Sequence, residues 1–163
     1  MGTRKPSWDD YFMSLARQAR VRSNCMRRQM GAILVRDKSV ISSGYNGTPL
    51  GVTDCLHGSC PRCASDTPPW EGYESCICVH AETNAILFAA RNGISTQGSA
   101  IYTGTRPCVG CLKELIQAGV RKIVFEVDHT YDDQLEEAYQ RLVNESGLEL
   151  ILVEAASAEQ ETA

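Results

Sequence analysis

The chain has 163 residues, of which 43% are hydrophobic, and its 20 acidic and 16 basic residues give a formal net charge of −4. A chain of this length forms one domain with a real core, and its short apolar runs are far below the ~20 residues that span a bilayer. The acidic balance argues against binding nucleic acid through salt-dependent charge attraction. The first residues, MGTRKPSWDD, do not resemble a signal peptide, so we expect a cytoplasmic protein without membrane or nucleic-acid partners.

The first predicted elements are a helix and a hairpin. Ser7 and Asp10 have the spacing of a capping box, and apolar residues follow them at helical intervals. The run GAILVRD, beginning at Gly31, reads as a buried strand. Asp37 and Lys38 form the turn, and VISSGYN is the returning strand of an antiparallel hairpin.

A long irregular stretch, residues 46–79, separates the hairpin from alternating helices and strands. Helices are predicted at 80–91, 107–118 and 132–144, and strands at AIYTG, RKIVFEV and LELILV. Strands separated by helices are expected to pair in parallel. The sequence therefore predicts an α/β fold, a mixed five-stranded sheet with helices on both faces. The domain spans residues 1–153, and residues 154–163 are expected to be a disordered tail.

Two short motifs predict a catalytic zinc site, one at His80-Ala81-Glu82 and the other at PCVGC, residues 107–111. Each begins a predicted helix, whose N-terminal partial charge favours thiolates at Cys108 and Cys111. One imidazole and two thiolates leave a fourth position open, where zinc lowers the pKa of water to about 7. Glu82 can carry protons without binding the metal. This combination is the signature of zinc nucleobase deaminases, and the alternative is a helix-capping His80 beside a purely structural zinc site.

On these motifs the chain resembles the deoxycytidylate deaminases of the cytidine and tRNA-adenosine deaminase superfamily. The resemblance runs from about Ser7 to Val153. It is carried by SWDDYFMSLA, RSNCMRRQMGAILV, GYNGTP, VHAETNAI, TRPCVGCLKELIQAGV and the Tyr131-Asp132 pair. It implies a three-layer cytidine-deaminase-like fold and hydrolysis of dCMP to dUMP. It also implies zinc bound by His80, Cys108 and Cys111, with Glu82 as general acid and base.

The resemblance further implies regulation and self-assembly. Members of the family commonly form hexamers that dCTP activates and dTTP inhibits, with Mg²⁺. The implied effector contacts are Gly44, Tyr45, Asn46 and Gly47. Asn46 also matches a residue that contacts the substrate sugar in related deaminases, and the alternative is an ordinary Asn-Gly turn.

A phosphate site is expected among Arg22, Arg27 and Arg28, which lie between the first helix and the first strand. The planar guanidinium of arginine binds phosphate through two parallel hydrogen bonds, and we select Arg27. The alternative is that these side chains are solvated or contact another subunit.

Six further cysteines suggest a second metal site. Local spacing favours Cys60 and Cys63, completed by Cys76 and Cys78 or by Cys55. A metal would supply the free energy that orders the long loop, whereas the alternative is a group of buried free thiols. The family resemblance implies instead a structural zinc on Cys25, Cys55, Cys60 and Cys76, with Cys63 and Cys78 as alternates and His57 as a weaker candidate.

Two other functions remain open. One is a related deaminase acting on dCTP, free cytosine or a tRNA adenosine, although the acidic balance counts against tRNA. The other is a zinc-binding interaction module with a vestigial site. The intact proton carrier, Glu82, counts against this module.

Overall fold

The structure is a computed structural model that describes residues 5–68 and 71–154. Most of the predicted disordered tail, residues 155–163, lies outside the described residues. The helices are α1 (Trp8–Ala19), α2 (Ala81–Arg91), α3 (Val109–Gln117) and α4 (Asp133–Ser146). The strands are β1 (Gly31–Arg36), β2 (Ser39–Tyr45), β3 (Ala100–Thr105), β4 (Lys122–Val127) and β5 (Glu149–Leu152). Helices and strands follow one another in the predicted order.

Local sequence signals begin and end these elements as predicted. The Ser7 hydroxyl accepts from the Asp10 amide, and the Asp10 carboxylate accepts from the Ser7 amide, which completes the capping box of α1. Asp37 and Lys38 turn the hairpin in the left-handed region, with φ of 52° and 59°. A turn with positive φ at both central residues has a backbone twist that matches the right-handed twist of the flanking strands. Gly147, with a φ of 66°, ends α4.

The five strands form one sheet in the order β2-β1-β3-β4-β5. The antiparallel hairpin of β1 and β2 and the parallel pairs β3–β4 and β4–β5 confirm the prediction. The parallel pairing predicted for strands separated by a helix is wrong for β2 and β3, and β1 pairs with β3 in antiparallel orientation instead. The pairing of β1 with β3 arises because the connection through α2 passes over β1. Strand β3 therefore runs in the same direction as β2 and pairs with the opposite edge of β1.

Helices cover both faces of the sheet, as predicted. Along β1, Ala32 and Leu34 face the core formed with α2, α3 and α4, whereas Ile33 and Val35 face α1. This alternation follows from the two-residue period of a strand. Within the described part of the chain, none of the helices has the length and apolar character needed to cross a membrane.

Candidate active site

The start of α2 is held in place by two backbone connections. Val79 and Gly47 exchange hydrogen bonds of 2.8 and 3.1 Å, which form an isolated antiparallel bridge. The Asn84 amide donates to the Tyr45 carbonyl at 2.7 Å, which fastens α2 to the end of β2. His80 is the N-cap of α2, so its imidazole is positioned by the bridge and by the helix together.

The two cysteines of the second motif lie at the start of α3, which follows β3. Cys108 is the N-cap of α3 and its sulfur accepts from the Cys111 amide at 3.5 Å. Cys111 is buried in the first turn. The partial positive charge of the helix N-terminus therefore acts on both sulfurs.

The three predicted ligands converge. His80 Nδ1 lies 3.5 Å from Cys108 Sγ and 3.3 Å from Cys111 Sγ. Tetrahedral zinc, with Zn–N near 2.0 Å and Zn–S near 2.3 Å, requires an N···S separation of about 3.5 Å. The donor types and their separations thus fit zinc with a fourth position available.

The electrostatics of this group make Cys108 the first of the two thiols to ionise, because the hydrogen bond to Cys108 and burial raise the pKa of the Cys111 thiol. Hydrogen bonding to Cys111, supported by His80, lowers the pKa of the Cys108 thiol to about 4. The pKa of His80 is raised chiefly by its hydrogen bond to Cys108. Cys108 is therefore a thiolate at neutral pH, which is the form that binds metal.

Glu82 lies beside the three ligands. It is 5% exposed, and its Oε1 accepts a hydrogen bond of 2.7 Å from the Thr103 hydroxyl of β3. Its Oε2 is 3.8 Å from Cys111 Sγ. Burial raises the pKa of Glu82, and the Thr103 hydrogen bond opposes this shift. The sequence analysis missed Thr103. It lies two residues after Ile101 in β3, so the two side chains are on the same face of the strand.

A cavity of about 260 Å³ opens above this site. His80, Glu82 and Cys108 form part of its wall, and Asn46 and Arg27 line it as well. Its cationic lining comes from four arginines, because Arg28, Arg62 and Arg106 join Arg27. Arg22, the third predicted phosphate candidate, lies on an exposed 3-10 turn and is not among the described residues that line the cavity.

The two arginines that the sequence analysis missed are both bound to the walls of the cavity. Arg62 donates to the carbonyl oxygen of Glu71 at 2.7 Å, and its guanidinium lies 4.2 Å from the centre of the Tyr73 ring. Arg106 forms a two-pronged ion pair with Glu136, at 2.7 and 3.0 Å. The available signal was their closeness to motif cysteines, since Arg62 directly precedes Cys63 and Arg106 lies two residues before Cys108.

Asn46 is 7% exposed, and its side chain organises the cavity wall. Its Oδ1 accepts from the Ser23 hydroxyl at 2.6 Å and from the Met30 amide at 2.8 Å. Its Nδ2 donates to the Arg28 carbonyl at 2.7 Å. These contacts give Asn46 a structural role in addition to the predicted contact with the substrate, which stays a prediction.

The predicted effector segment packs closely against its neighbours. A Cβ on Gly44 would lie 2.2 Å from the Ala81 carbonyl oxygen, so glycine is required for the approach of α2. Tyr45 packs edge-on against Phe88, with 6.2 Å between ring centres. A Cβ on Gly47 would lie 2.6 Å from the Asn24 side chain. Close packing explains both glycines, and the role of this segment in effector binding stays a prediction.

The six remaining cysteines lie together beside the cavity. Two groups have sulfurs within 4.8 Å of one another, and both groups contain Cys63 and Cys78. The four predicted ligands are divided between the groups, Cys25 and Cys55 in one and Cys60 and Cys76 in the other. His57 belongs to neither of these groups of described residues.

A His-x-Glu motif at one helix start beside a Cys-x-x-Cys motif at another defines the class of zinc nucleobase deaminases. The family described as the cytidine and deoxycytidylate deaminase zinc-binding region matches residues 6–127. The chain belongs to this family.

Named relatives agree with this assignment. The chain is 43% identical over 128 residues to the deoxycytidylate deaminase of Schizosaccharomyces pombe and 42% identical over 130 residues to that of Saccharomyces cerevisiae. These matches cover 78% and 80% of this chain but 39% and 41% of the yeast proteins. The chain thus spans about two fifths of the length of these curated relatives.

A solved structure also resembles the whole domain. The crystal structure of dCMP deaminase from the cyanophage S-TIM5, in complex with dCMP and dUMP, matches with a TM-score of 0.71 and 28% identity. The match covers 93% of this chain and 100% of that chain. The predicted cytidine-deaminase-like fold is therefore confirmed.

Proposed function

We propose that the protein hydrolyses dCMP to dUMP and ammonia. The observation that carries this proposal is the buried carboxyl group of Glu82 beside one imidazole and two cysteine sulfurs, at the wall of a cavity lined by arginines. The likeness to the cyanophage enzyme, whose structure contains dCMP and dUMP, supports the choice of substrate.

His80, Cys108 and Cys111 hold the catalytic zinc in this proposal. The bound ion supplies Lewis acidity that makes water a nucleophile at neutral pH. Glu82 accepts the proton that this water loses as it adds to C4 of the pyrimidine, and delivers it to N3. Glu82 then takes the proton of the hydroxyl group now on C4 and passes it to the amino group, which leaves as ammonia while the C4 carbonyl forms.

The Thr103 hydroxyl orients the carboxylate for these transfers, because it donates to Glu82 Oε1 at 2.7 Å. We expect Thr103→Val, which keeps the shape but removes the donor, to lower kcat about 10- to 100-fold, since a hydrogen bond to a charged group contributes about 1.5–3 kcal/mol. Thr103→Ser, which keeps the hydroxyl, is the control and should retain most activity. Wild-type kcat in the Val variant would refute this positioning role.

Substrate choice is tested by comparing turnover of dCMP, dCTP, CMP and cytidine by ultraviolet absorbance. We expect dCMP to be preferred, with Arg27 binding its phosphate. Arg27→Gln should then raise KM for dCMP about tenfold or more and leave kcat/KM for deoxycytidine nearly unchanged. Arg22→Gln, outside the cavity lining, is the matched control.

Preference for dCTP or cytidine in this assay would replace the substrate in the proposal with another pyrimidine of the same superfamily. Zinc-loaded protein that leaves all four compounds unchanged would favour a zinc-binding interaction module. An equal effect of Arg27→Gln on dCMP and deoxycytidine would contradict a phosphate contact.

The proposal extends to regulation and assembly. dCTP activates and dTTP inhibits the enzyme, with Mg²⁺ on the triphosphates, and the chain forms a homohexamer. The resemblance of the GYNGTP segment to deoxycytidylate deaminases supports this extension. Leu50, Leu56 and Leu87, which are 81%, 55% and 46% exposed, offer apolar surface for subunit contacts. Light scattering tests the hexamer, and turnover measured with dCTP or dTTP tests the regulation.

Structural zinc in the cysteine cluster is also part of the proposal. Five of the six cysteines are buried, and sulfur ligands suit zinc. Such thiolates persist where thiols are kept reduced, which supports a cytoplasmic location. Cell fractionation tests the location.

A further inference from the structure

The cysteine cluster consists of two overlapping groups of four thiols. One group is Cys25, Cys55, Cys63 and Cys78, and the other is Cys60, Cys63, Cys76 and Cys78. We propose that the six cysteines bind two zinc ions as one bimetallic cluster, in which the sulfurs of Cys63 and Cys78 bridge the ions and the other four each bind one ion. Each ion then has four sulfur ligands, two of which it shares with the other ion.

The sulfur separations agree with metal-bound tetrahedra. A Zn–S bond near 2.3 Å gives a tetrahedral S···S edge of about 3.8 Å. Cys25 Sγ lies 3.7 Å from Cys63 Sγ in one group, and Cys60 Sγ lies 3.8 Å from Cys76 Sγ in the other. Edges of the required length therefore occur in both groups.

Cys63 has the contacts expected of a bridging residue. Its thiol interacts with those of Cys25, Cys55 and Cys60, and the Cys76 thiol interacts with it as well. A single tetrahedral ion on either group would leave two cysteines of the other group beside the site without a ligand role. Two ions use every sulfur.

Backbone donors surround the cluster as they do in metal-thiolate sites. The Cys60 sulfur accepts hydrogen bonds from the amides of Cys63 and Ile77. The Cys25 sulfur accepts from the amides of Arg27 and Arg28. Hydrogen bonds of this kind stabilise negative charge on sulfur.

The surrounding charge suits an anionic cluster. Six thiolates and two Zn²⁺ leave a net charge of about −2. Arg62 is next to Cys63 in sequence, is 6% exposed, and donates to the carbonyl oxygens of Glu71 and Pro68, neither of which carries a charge. Arg27 and Arg28 line the same cavity as four of the cysteines.

The loop also needs a source of order other than apolar packing. In the described part of the chain, the buried side chains that form this small core are all cysteines. A core without Leu, Ile, Val or Phe cannot offset the conformational entropy of more than thirty loop residues, whereas metal binding can. The cluster thereby orders the cavity wall, which includes Cys25, Cys63, Cys76 and Cys78.

Zinc analysis of the purified full chain, after surface metal is removed by brief chelation, tests the proposal. We expect about three zinc ions per chain, one at the catalytic site and two in the cluster. Two matched double variants, Cys60→Ser with Cys76→Ser and Cys25→Ser with Cys55→Ser, should each lose about one ion. About two ions in the wild type, with one double variant losing none, would show a single-ion site and overturn the proposal.

A second measurement does not depend on the folding of the variants. Wild-type protein loaded with ¹¹³Cd should show two resonances of all-thiolate sites that are coupled to each other through the bridging sulfurs. One all-thiolate resonance, or two without mutual coupling, would overturn the bridged cluster. Neither readout depends on activity, so the proposed reaction stands or falls separately.

Discussion

Glu82→Gln is expected to lower kcat for dCMP by about 10³- to 10⁴-fold while the protein keeps its zinc. Glutamine has the same shape and still accepts the Thr103 hydrogen bond that Glu82 Oε1 receives at 2.7 Å. It cannot accept the proton of the attacking water or deliver one to the pyrimidine. Absorbance kinetics together with zinc analysis of the same preparation measure both quantities.

The control for this experiment is Glu137→Gln, which removes an exposed carboxylate of α4 outside the cavity lining. It should leave kcat and zinc content at wild-type values. More than about a tenth of wild-type kcat in Glu82→Gln would remove Glu82 from the proton-transfer role. Loss of zinc in that variant would instead show that the carboxylate supports the metal.

The second large effect is on stability. Glu136→Gln should lower the free energy of unfolding by about 2 kcal/mol, or Tm by roughly 4–8 °C. Arg106 is 5% exposed and bonds to both carboxylate oxygens of Glu136, which joins α4 to the segment that leads into Cys108. Removing the negative charge takes away the shorter of two ion pairs of a buried guanidinium, because the pair with the half-exposed Asp128, at 3.7 Å, is longer. Thermal and urea denaturation measure the change.

An exposed ion pair on the same helix provides the control. Arg141 and Glu145 are 75% and 68% exposed, so Glu145→Gln should cost less than about 0.5 kcal/mol. Equal destabilisation by the two variants would contradict the assigned role of burial.

Lowering the pH should remove the contribution of the Glu136 carboxylate to the free energy of unfolding. Hydrogen bonding from Arg106 lowers the pKa of Glu136 to about 2, whereas an unfolded Glu titrates near ~4.3. The folded state therefore gains stability above the unfolded pKa, and this gain is lost as pH falls through the folded pKa. The stability difference between wild type and Glu136→Gln should be full at pH 7 and shrink steadily below about pH 4.

Much of the local structure follows from short-range sequence signals. The capping box of Ser7 and Asp10, the Asp37-Lys38 turn and the stop at Gly147 all lie where the sequence predicts them. Each depends on hydrogen bonds or backbone angles within a few residues, so the chain encodes it locally. Cys108 likewise caps α3 through a local contact with the Cys111 amide, whereas the position of His80 also depends on the bridge between Val79 and Gly47.

The sequence alone therefore determined the order of elements, the family resemblance and the identity of the residues that converge on the catalytic site. Only the tertiary structure decided that β3 pairs with β1, that Thr103 bonds to Glu82, and that six cysteines form two groups sharing Cys63 and Cys78. Glu82 and Thr103 are 21 residues apart, and Cys25 and Cys63 are 38 apart. Contacts at such separations depend on how whole elements pack, which spacing along the chain does not specify.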